Sequence, residues 1–282
     1  MAILTSAVTW IIGDTIAKRS SVVIGNRQTA AIFLAIGAIP MLIGALLYGY
    51  QMSLEAWGLA ALAGVFLGIG YYSFYKALET EQLTNSAALF NLQPAIIVLF
   101  GLLVLGNAVS TVKDIAIAGI FVGSLMITVT RKMKFNMMLM PAVTANVAWG
   151  INWVLTIIAI GVSQQFLMPL LVARVVGLTS VLVMSSEYLT RHAAHRHSFR
   201  KPETRRIRWL AAPSGGALDG IGNITFAFAM FTGVVALGSA LSAIIPAFIA
   251  VVAYFVFKDR LTKLQGAGLI ISVIAAIAIS LG

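Results

Sequence analysis

Leu67-Gly-Ile-Gly-Tyr-Tyr-Ser-Phe74 recurs 152 positions later as Asp219-Gly-Ile-Gly-Asn-Ile-Thr-Phe226. The two octapeptides lie inside a longer match, in which residues 57–112 align without a gap to residues 209–264. Both copies are almost wholly apolar, and their glycines persist while several side chains between them change. We infer that one ancestral unit was duplicated, a pattern typical of membrane proteins built from two similar halves.

The composition is that of a polytopic membrane protein. Of the 282 residues, 60% are hydrophobic and 10% are charged, and the mean hydropathy is +0.98, whereas soluble domains are about 45–50% apolar. A helix that crosses a bilayer needs roughly 20 apolar residues. Charges, glycines and asparagines divide the chain into ten predicted spans, at residues 2–17, 28–48, 56–76, 84–105, 112–130, 138–160, 165–186, 207–231, 236–256 and 264–281.

Other interpretations of the apolar segments fit less well. Strands of a membrane barrel alternate apolar and polar residues, whereas residues 264–281 are continuously apolar. The first segment resembles the apolar part of a signal peptide, but it lacks a preceding basic flank, so we keep it as the first helix. The chain has no cysteine, which excludes disulfides, thiolate metal ligands and a thiol nucleophile.

The net charge of +10 indicates membrane orientation rather than nucleic-acid binding, because seventeen of the nineteen basic residues lie in odd-numbered connections between spans. By the positive-inside rule, these connections are cytoplasmic and both termini lie outside the cell membrane. The basic connections are residues 18–27, 131–134, 190–208 and 258–263.

The longest of them contains His192, His195 and His197. No acidic or cysteine ligand completes a metal site there, so we interpret it as a solvated loop facing lipid headgroups. We predict no metal and no cofactor.

The duplication includes the earlier spans, since Val8-Thr9-Trp10 aligns with Val147-Ala148-Trp149. We therefore predict two five-helix repeats, at residues 1–135 and 136–282, with the basic loop inside the second. Because five is odd, the second repeat enters the bilayer inverted relative to the first.

Several motifs carry a resemblance to a known family. Ala148-Trp-Gly-Ile-Asn-Trp153 opens the second repeat, Gly-x-Gly-Tyr-Tyr-x-Phe-Tyr-x-Ala-Leu occupies residues 68–78, and Arg174 lies in Val-Ala-Arg-Val-Val. With the two five-helix halves, this resembles the EamA branch of the drug/metabolite transporter superfamily. The resemblance implies ten helices and export of amino acids or related compounds.

The sequence departs from that family in two respects. The acid that usually follows the fourth helix of a repeat is Asn107 in the first half and Asp259 in the second. The family is usually drawn with cytoplasmic termini, whereas the basic residues here indicate the opposite, and we follow the charges.

Two charges lie near the middle of predicted spans, Arg174 in the seventh and Asp219 in the eighth. Each is expensive to insert, by about 2.5–3.5 kcal/mol at a helix centre. They could form a buried ion pair, or face a cavity where Asp219 carries a coupling proton or holds an ammonium and Arg174 anchors a carboxylate. The repeat aligns Asp219 with Leu67 and Arg174 approximately with Gly37, so the scaffold requires neither charge. Asp14, one turn before Lys18, is a weaker candidate, because an i,i+4 pair accounts for it.

Aromatic and amide side chains supply the other candidates for substrate binding. An amide within a span must find a partner away from lipid, and aromatic rings either line a cavity or pack. With the two charges, the predicted set is Trp10, Tyr72, Tyr75, Asn91, Trp149, Asn152, Trp153 and Asn223.

Matched glycines and prolines predict close packing and hinges. Gly68 and Gly220 belong to rows of small residues that let helices approach closely, and flexing there would add to packing. Pro94 and Pro246 occupy matched positions, where each opens a helical hydrogen bond.

The chain has no phosphate-binding loop, no zinc-protease motif and no nucleophile elbow. We therefore predict a secondary active transporter, not an enzyme, that moves a small organic metabolite by alternating access. The alternatives are a broad-specificity drug or cation exporter and, from another class, an integral-membrane enzyme that modifies lipid. Expected partners are the substrate, membrane lipids and a coupling proton, with a monomer or homodimer as the assembly.

Overall fold

The computed structural model describes residues 1–49, 51–77, 92–128, 140–192, 202–245, 247, 251 and 262–281. These residues form helices and contain no strand, which confirms the all-α prediction. In chain order the helices are α1 (Ala2–Ile24), α2 (Asn26–Tyr48), α3 (Leu54–Ala77), α4 (Leu92–Leu103), α5 (Thr111–Thr128), α6 (Met140–Ser163), α7 (Leu167–His192), α8 (Pro202–Thr232), α9 (Val235–Ser242) and α10 (Lys263–Leu281).

Five of the described segments are long and apolar enough to cross a membrane. The shorter apolar helix α4 is preceded by residues outside the described part. The candidate spans are Asn26–Tyr48, Leu54–Ala77, Met140–Ser163, Leu167–Ser185 and Lys263–Leu281.

Helix α1 continues seven residues beyond its predicted end at residue 17 and stops at Ile24. Lys and Arg are good helix formers, so the basic residues after position 17 extend the helix instead of breaking it. The turn is made by Gly25, whose φ of 95° favours glycine, and α2 starts at the next residue. The predicted connection 18–27 is therefore mostly helical.

The basic loop predicted at residues 190–208 is also shorter than expected. Helix α7 runs on to His192, and α8 starts at Pro202. Proline is well tolerated in the first helical turn, where its missing N–H is not needed, and the charged residues after it favour helix. Only residues 193–201 of the segment lie outside the described part.

The helices of the two halves pack against each other in matched pairs. Helix α1 packs on α8, and the equivalent pair, α6 and α3, packs in the same way. Helix α2 also packs on α8, and the equivalent pair, α7 and α3, does likewise. Helices α2 and α7 contact each other, and so do α5 and α10. Exchanging the halves therefore reproduces these pairs, and most contacts among the described helices join one half to the other.

Glycines make these contacts close. A Cβ at Gly64 would lie 2.6 Å from the Ala173 carbonyl oxygen of α7, and one at Gly216 would lie 3.0 Å from Cα of Phe33 in α2. These two glycines occupy matched positions of the repeat. Gly68 and Gly220 approach α7 and α2 in the same way, as predicted for the rows of small residues.

The contacts also correct the alignment between α2 and α7. Gly68 packs on Gly177, and its counterpart Gly220 packs on Gly37, so Gly37 and Gly177 are equivalent. The offset of 140 residues then matches Arg174 with Leu34, not with Gly37. The sequence comparison was wrong by three residues here because α2 and α7 share few identities from which to set the register.

Candidate functional site

The central feature is an ion pair between Arg174 of α7 and Asp219 of α8. Arg174 is 1% exposed, and Asp219 is partly buried. The Tyr71 hydroxyl donates to Asp219 Oδ2 at 2.6 Å and accepts from Arg174 Nη1 at 3.2 Å. Three groups from three helices thus form one polar cluster, and the predicted pairing of the two charges is present.

The cluster depends on the absence of a side chain at Gly37. A Cβ there would collide with the Arg174 guanidinium and would lie 2.9 Å from the Gly216 carbonyl oxygen. Gly220 lies directly against the same turn of α2. The repeat glycines therefore bring α2, α7 and α8 close enough to enclose the arginine.

Asn223 anchors the carboxylate side of the cluster from the next turn of α8. Its amide donates to the Asp219 carbonyl oxygen at 2.7 Å, and its distance to Asp219 Oδ1 is 3.4 Å. Arg174 Nε, by contrast, is buried and has no hydrogen-bond acceptor within the described part of the chain. An unused donor on a buried guanidinium is costly.

Asp14 approaches the same cluster from α1. The helical period places it on one stripe with Ala7 and Ser21, both of which are buried. The Asp14 side chain is nevertheless exposed, and its carboxylate lies within electrostatic range of Asp219. The predicted pairing of Asp14 with Lys18 stays a prediction, because the Lys18 side chain lies outside the described part of the structure.

Aromatic rings form two groups, and each group contains rings from both halves. The Trp10 and Trp153 rings contact Phe226, with centroids 5.2 Å and 4.6 Å away. The Trp149 ring lies edge-on to Tyr71, with centroids 5.7 Å apart.

Each of two tryptophans rests on a glycine of the other half. A Cβ at Gly222 would lie 2.7 Å from Trp10 Nε1, and a Cβ at Gly70 would lie 3.0 Å from Trp149 Cγ. Trp10 and Trp149 are matched positions, and so are the two glycines. The glycines therefore seat both indoles beside the polar cluster.

The remaining predicted residues are more dispersed. Tyr75 and Asn152 are buried, whereas Tyr72 is partly exposed and its hydroxyl lies 3.5 Å from Arg27 Nη2. Pro94 is in the first described turn of α4, and its carbonyl accepts from Ser239 at 3.0 Å. Asn91 and Pro246 lie outside the described residues. The roles assigned to all these residues stay predictions.

Tyr71 and Gly37 are absent from the predicted set, although both shape the cluster. Tyr71 could have been found, because the repeat aligns it with Asn223, and both positions lie one turn after position 67 or 219. Gly37 carries no such signal, since its role depends on where the Arg174 side chain runs.

Among the described residues, no group of three His, Asp or Glu side chains is placed to hold a metal ion. The chemistry available to the cluster is therefore ion pairing, hydrogen bonding and transfer of a proton to or from a carboxylate. His195 and His197 lie outside the described part.

Comparison with known proteins identifies the family of the first half. Residues 1–129 match the EamA-like transporter family, which belongs to the drug/metabolite transporter superfamily, and the chain is a multi-pass membrane protein. A solved structure titled "Crystal structure of protein" superposes with a TM-score of 0.74 over 99% of this chain and 95% of that chain, at 17% identity. At that identity the similarity shows a shared fold. No curated protein matches the sequence.

Proposed function

We propose that this chain, whose residues 1–129 form an EamA-like transporter domain, is a secondary active transporter that exports a small zwitterionic metabolite, an amino acid or a close relative, across the cell membrane. The observation that carries the proposal is the buried cluster of Arg174, Asp219 and Tyr71, which contains an unused guanidinium donor. It lies among helices of both halves, where repeat transporters bind their substrates.

The architecture we propose is ten helices in two inverted repeats that rock against each other. The matched helix packing and the matched glycine contacts support it. Alternating access requires that the two halves share an extensive but separable interface, and the contacts among the described helices lie mainly between the halves. Gly68, Gly220, Pro94 and Pro246 are the proposed hinges.

A zwitterion fits the charges of the site. Arg174 Nε would donate to the substrate carboxylate, because a guanidinium is suited to carboxylate recognition. The Asp219 carboxylate would hold the ammonium group. The indoles of Trp10 and Trp149 would contact the apolar part of the substrate.

The proposed coupling site is Asp219. Its carboxylate can hold the substrate ammonium group only while it is ionised, so a proton and the substrate compete for it. A proton that enters from outside would displace the substrate, and release of that proton inside would prepare the carboxylate for the next substrate. One proton would therefore move inward for each substrate exported.

Proteoliposome counterflow tests the proposal. Vesicles preloaded with unlabelled amino acids should accumulate the labelled compound, and an imposed pH gradient should drive net flux in wild-type protein. Asp219→Asn should lose both counterflow and the response to the pH gradient, because an amide neither pairs with an ammonium group nor takes up the proton. Retained pH-driven flux would exclude Asp219 as the coupling residue.

Two results would favour other functions. Flux of organic cations without flux of any carboxylated compound would favour the drug or cation exporter. Conversion of a lipid substrate with no flux at all would favour a membrane enzyme.

A further inference from the structure

Helix α9 begins without a capping side chain of its own. Its N-cap position is Val234, whose side chain has no oxygen to accept from the free N–H groups of the first turn. Valine is among the poorest residues at that position. An acceptor for these N–H groups must therefore come from elsewhere in the protein or from water.

Asn107, which belongs to the other half of the repeat, supplies that acceptor. Its Oδ1 accepts from the Ala236 N–H at 3.2 Å, and this second N–H of a helix is one that an N-cap side chain normally serves. The backbone N–H of Asn107 donates to the Gly101 carbonyl oxygen in the last turn of α4, at 3.0 Å. One residue thus satisfies the C-terminal end of α4 and the N-terminal end of α9.

Two further contacts hold the same helix ends together. Gly101 lies so close to α9 that a Cβ there would be 2.9 Å from the Ala236 nitrogen. One turn further along α9, the fully buried Ser239 hydroxyl donates to the Pro94 carbonyl oxygen at 3.0 Å. Two hydrogen bonds and a close backbone approach therefore fasten α4 to α9 across the two halves.

This contact adjoins the candidate site. Ile97 of α4 and Val235 of α9 belong to the same buried apolar cluster. That cluster also contains Trp153 and Phe226, whose rings lie against each other in one of the two aromatic groups. Separation of α4 from α9 would therefore open the packing beside these rings.

The repeat carries a second capping residue at the matched position. Position 107 aligns with Asp259, which lies outside the described residues. Asparagine and aspartate are among the best residues for capping a helix N-terminus. The two halves thus differ in charge at this position but keep the property that the contact with α9 uses, an acceptor oxygen on a short side chain.

We infer that Asn107 is a latch between the halves, which holds α4 against α9 in this conformation and releases when that end of the bundle opens. The inference rests on the proposed function, because alternating access requires contacts between the halves to separate at one end at a time. A hydrogen bond to a helix terminus suits such a contact, since water satisfies both groups once the ends separate.

The rate at which a buried thiol reacts with a water-soluble reagent measures this opening, and the chain has no native cysteine that would interfere. Ser239→Cys places a thiol of similar size at the contact. Adding Asn107→Leu removes the acceptor and should raise the labelling rate about fivefold, the shift in an equilibrium that one helix cap produces. Adding Asn107→Asp keeps an acceptor and should leave the rate near that of Ser239→Cys alone.

A second reporter separates local opening from a general loss of stability. Ala159→Cys puts the thiol in α6, where the alanine is fully buried. Its labelling rate should be the same with and without Asn107→Leu. Equal acceleration at both reporters, or no acceleration at Ser239→Cys, would overturn the latch.

Cross-linking connects the latch with transport. In Asn107→Cys/Ala236→Cys, a short bifunctional methanethiosulfonate joins the two helix ends, so amino acid counterflow in proteoliposomes should stop and should return when the link is reduced. Each single variant should keep its flux after the same treatment. Counterflow through the linked protein would overturn the latch and leave the transporter. The predicted labelling rates without flux in any variant would leave the opening of this contact and overturn the transporter.

Discussion

The pair Leu34 and Leu67 in the first half occupies the positions that Arg174 and Asp219 occupy in the second. The leucines are buried in one apolar cluster with aromatic neighbours, while their counterparts form the ion pair. The surrounding glycines are the same in both halves, and they make equivalent contacts. One scaffold therefore accepts either an apolar pair or a charged pair at this place.

This difference separates what the fold needs from what the function uses. Gly64, Gly68 and Gly70 recur as Gly216, Gly220 and Gly222 because both halves need the same close approaches. The charges occur once, in a membrane protein where burying them is expensive. The first half keeps the same scaffold without these charges. We therefore attribute the burial of Arg174 and Asp219 in the second half to their function at the site.

The largest effect on stability should come from breaking the ion pair. Arg174→Leu leaves Asp219 in the bundle without its cation, and removing one partner of a buried pair costs about 3–5 kcal/mol. We expect a marked fall in Tm, measured by thermal unfolding in detergent. The comparison variant is Leu34→Met at the matched position, which should cost under about 1.5 kcal/mol. Similar losses in both variants would mean that the charge is unimportant for the packing.

A smaller effect should follow from adding a methyl group at one of two equivalent glycines. Gly37→Ala places Cβ against the Arg174 guanidinium and the Gly216 carbonyl oxygen, an overpacking that costs about 1–3 kcal/mol. At Gly177 the nearest atoms to a Cβ are 3.2 Å away, and one of them belongs to the adjustable Leu67 side chain.

Gly177→Ala should therefore be nearly neutral, because alanine also gains about 0.5–1 kcal/mol over glycine in a helix. Thermal unfolding of both variants measures the difference. Equal Tm values for Gly37→Ala and Gly177→Ala would contradict the placement of the arginine.

The smallest effect should come from Tyr71→Phe. The ring stays against Trp149, and only the hydroxyl that joins Asp219 and Arg174 is lost. We expect a loss of stability of about 1–1.5 kcal/mol, measured by thermal unfolding in detergent. A Tm equal to the wild-type value would show that the hydroxyl does not hold the cluster together.

The repeat in the sequence predicted much of this comparison. It identified the matched glycines, and it marked Arg174 and Asp219 as charges that the scaffold does not require. Hydropathy located the helices but not the end of α1, because Lys and Arg extend a helix past the apolar segment that they border.

What the sequence could not provide was the register of α2 against α7 and the path of the Arg174 side chain. Both depend on contacts between helices that are far apart in the chain. For this reason Gly37 was missing from the predicted site, although it lies against the arginine.

The central claim is that the ion pair serves transport and not the scaffold, and the double variant Arg174→Leu/Asp219→Leu tests it most directly. It installs in the second half the leucines that the first half already carries. Because replacing a buried ion pair by apolar residues is often neutral or stabilising, the account predicts a Tm close to the wild-type value together with complete loss of amino acid counterflow in proteoliposomes. Counterflow at the wild-type rate in the folded double variant would contradict the account.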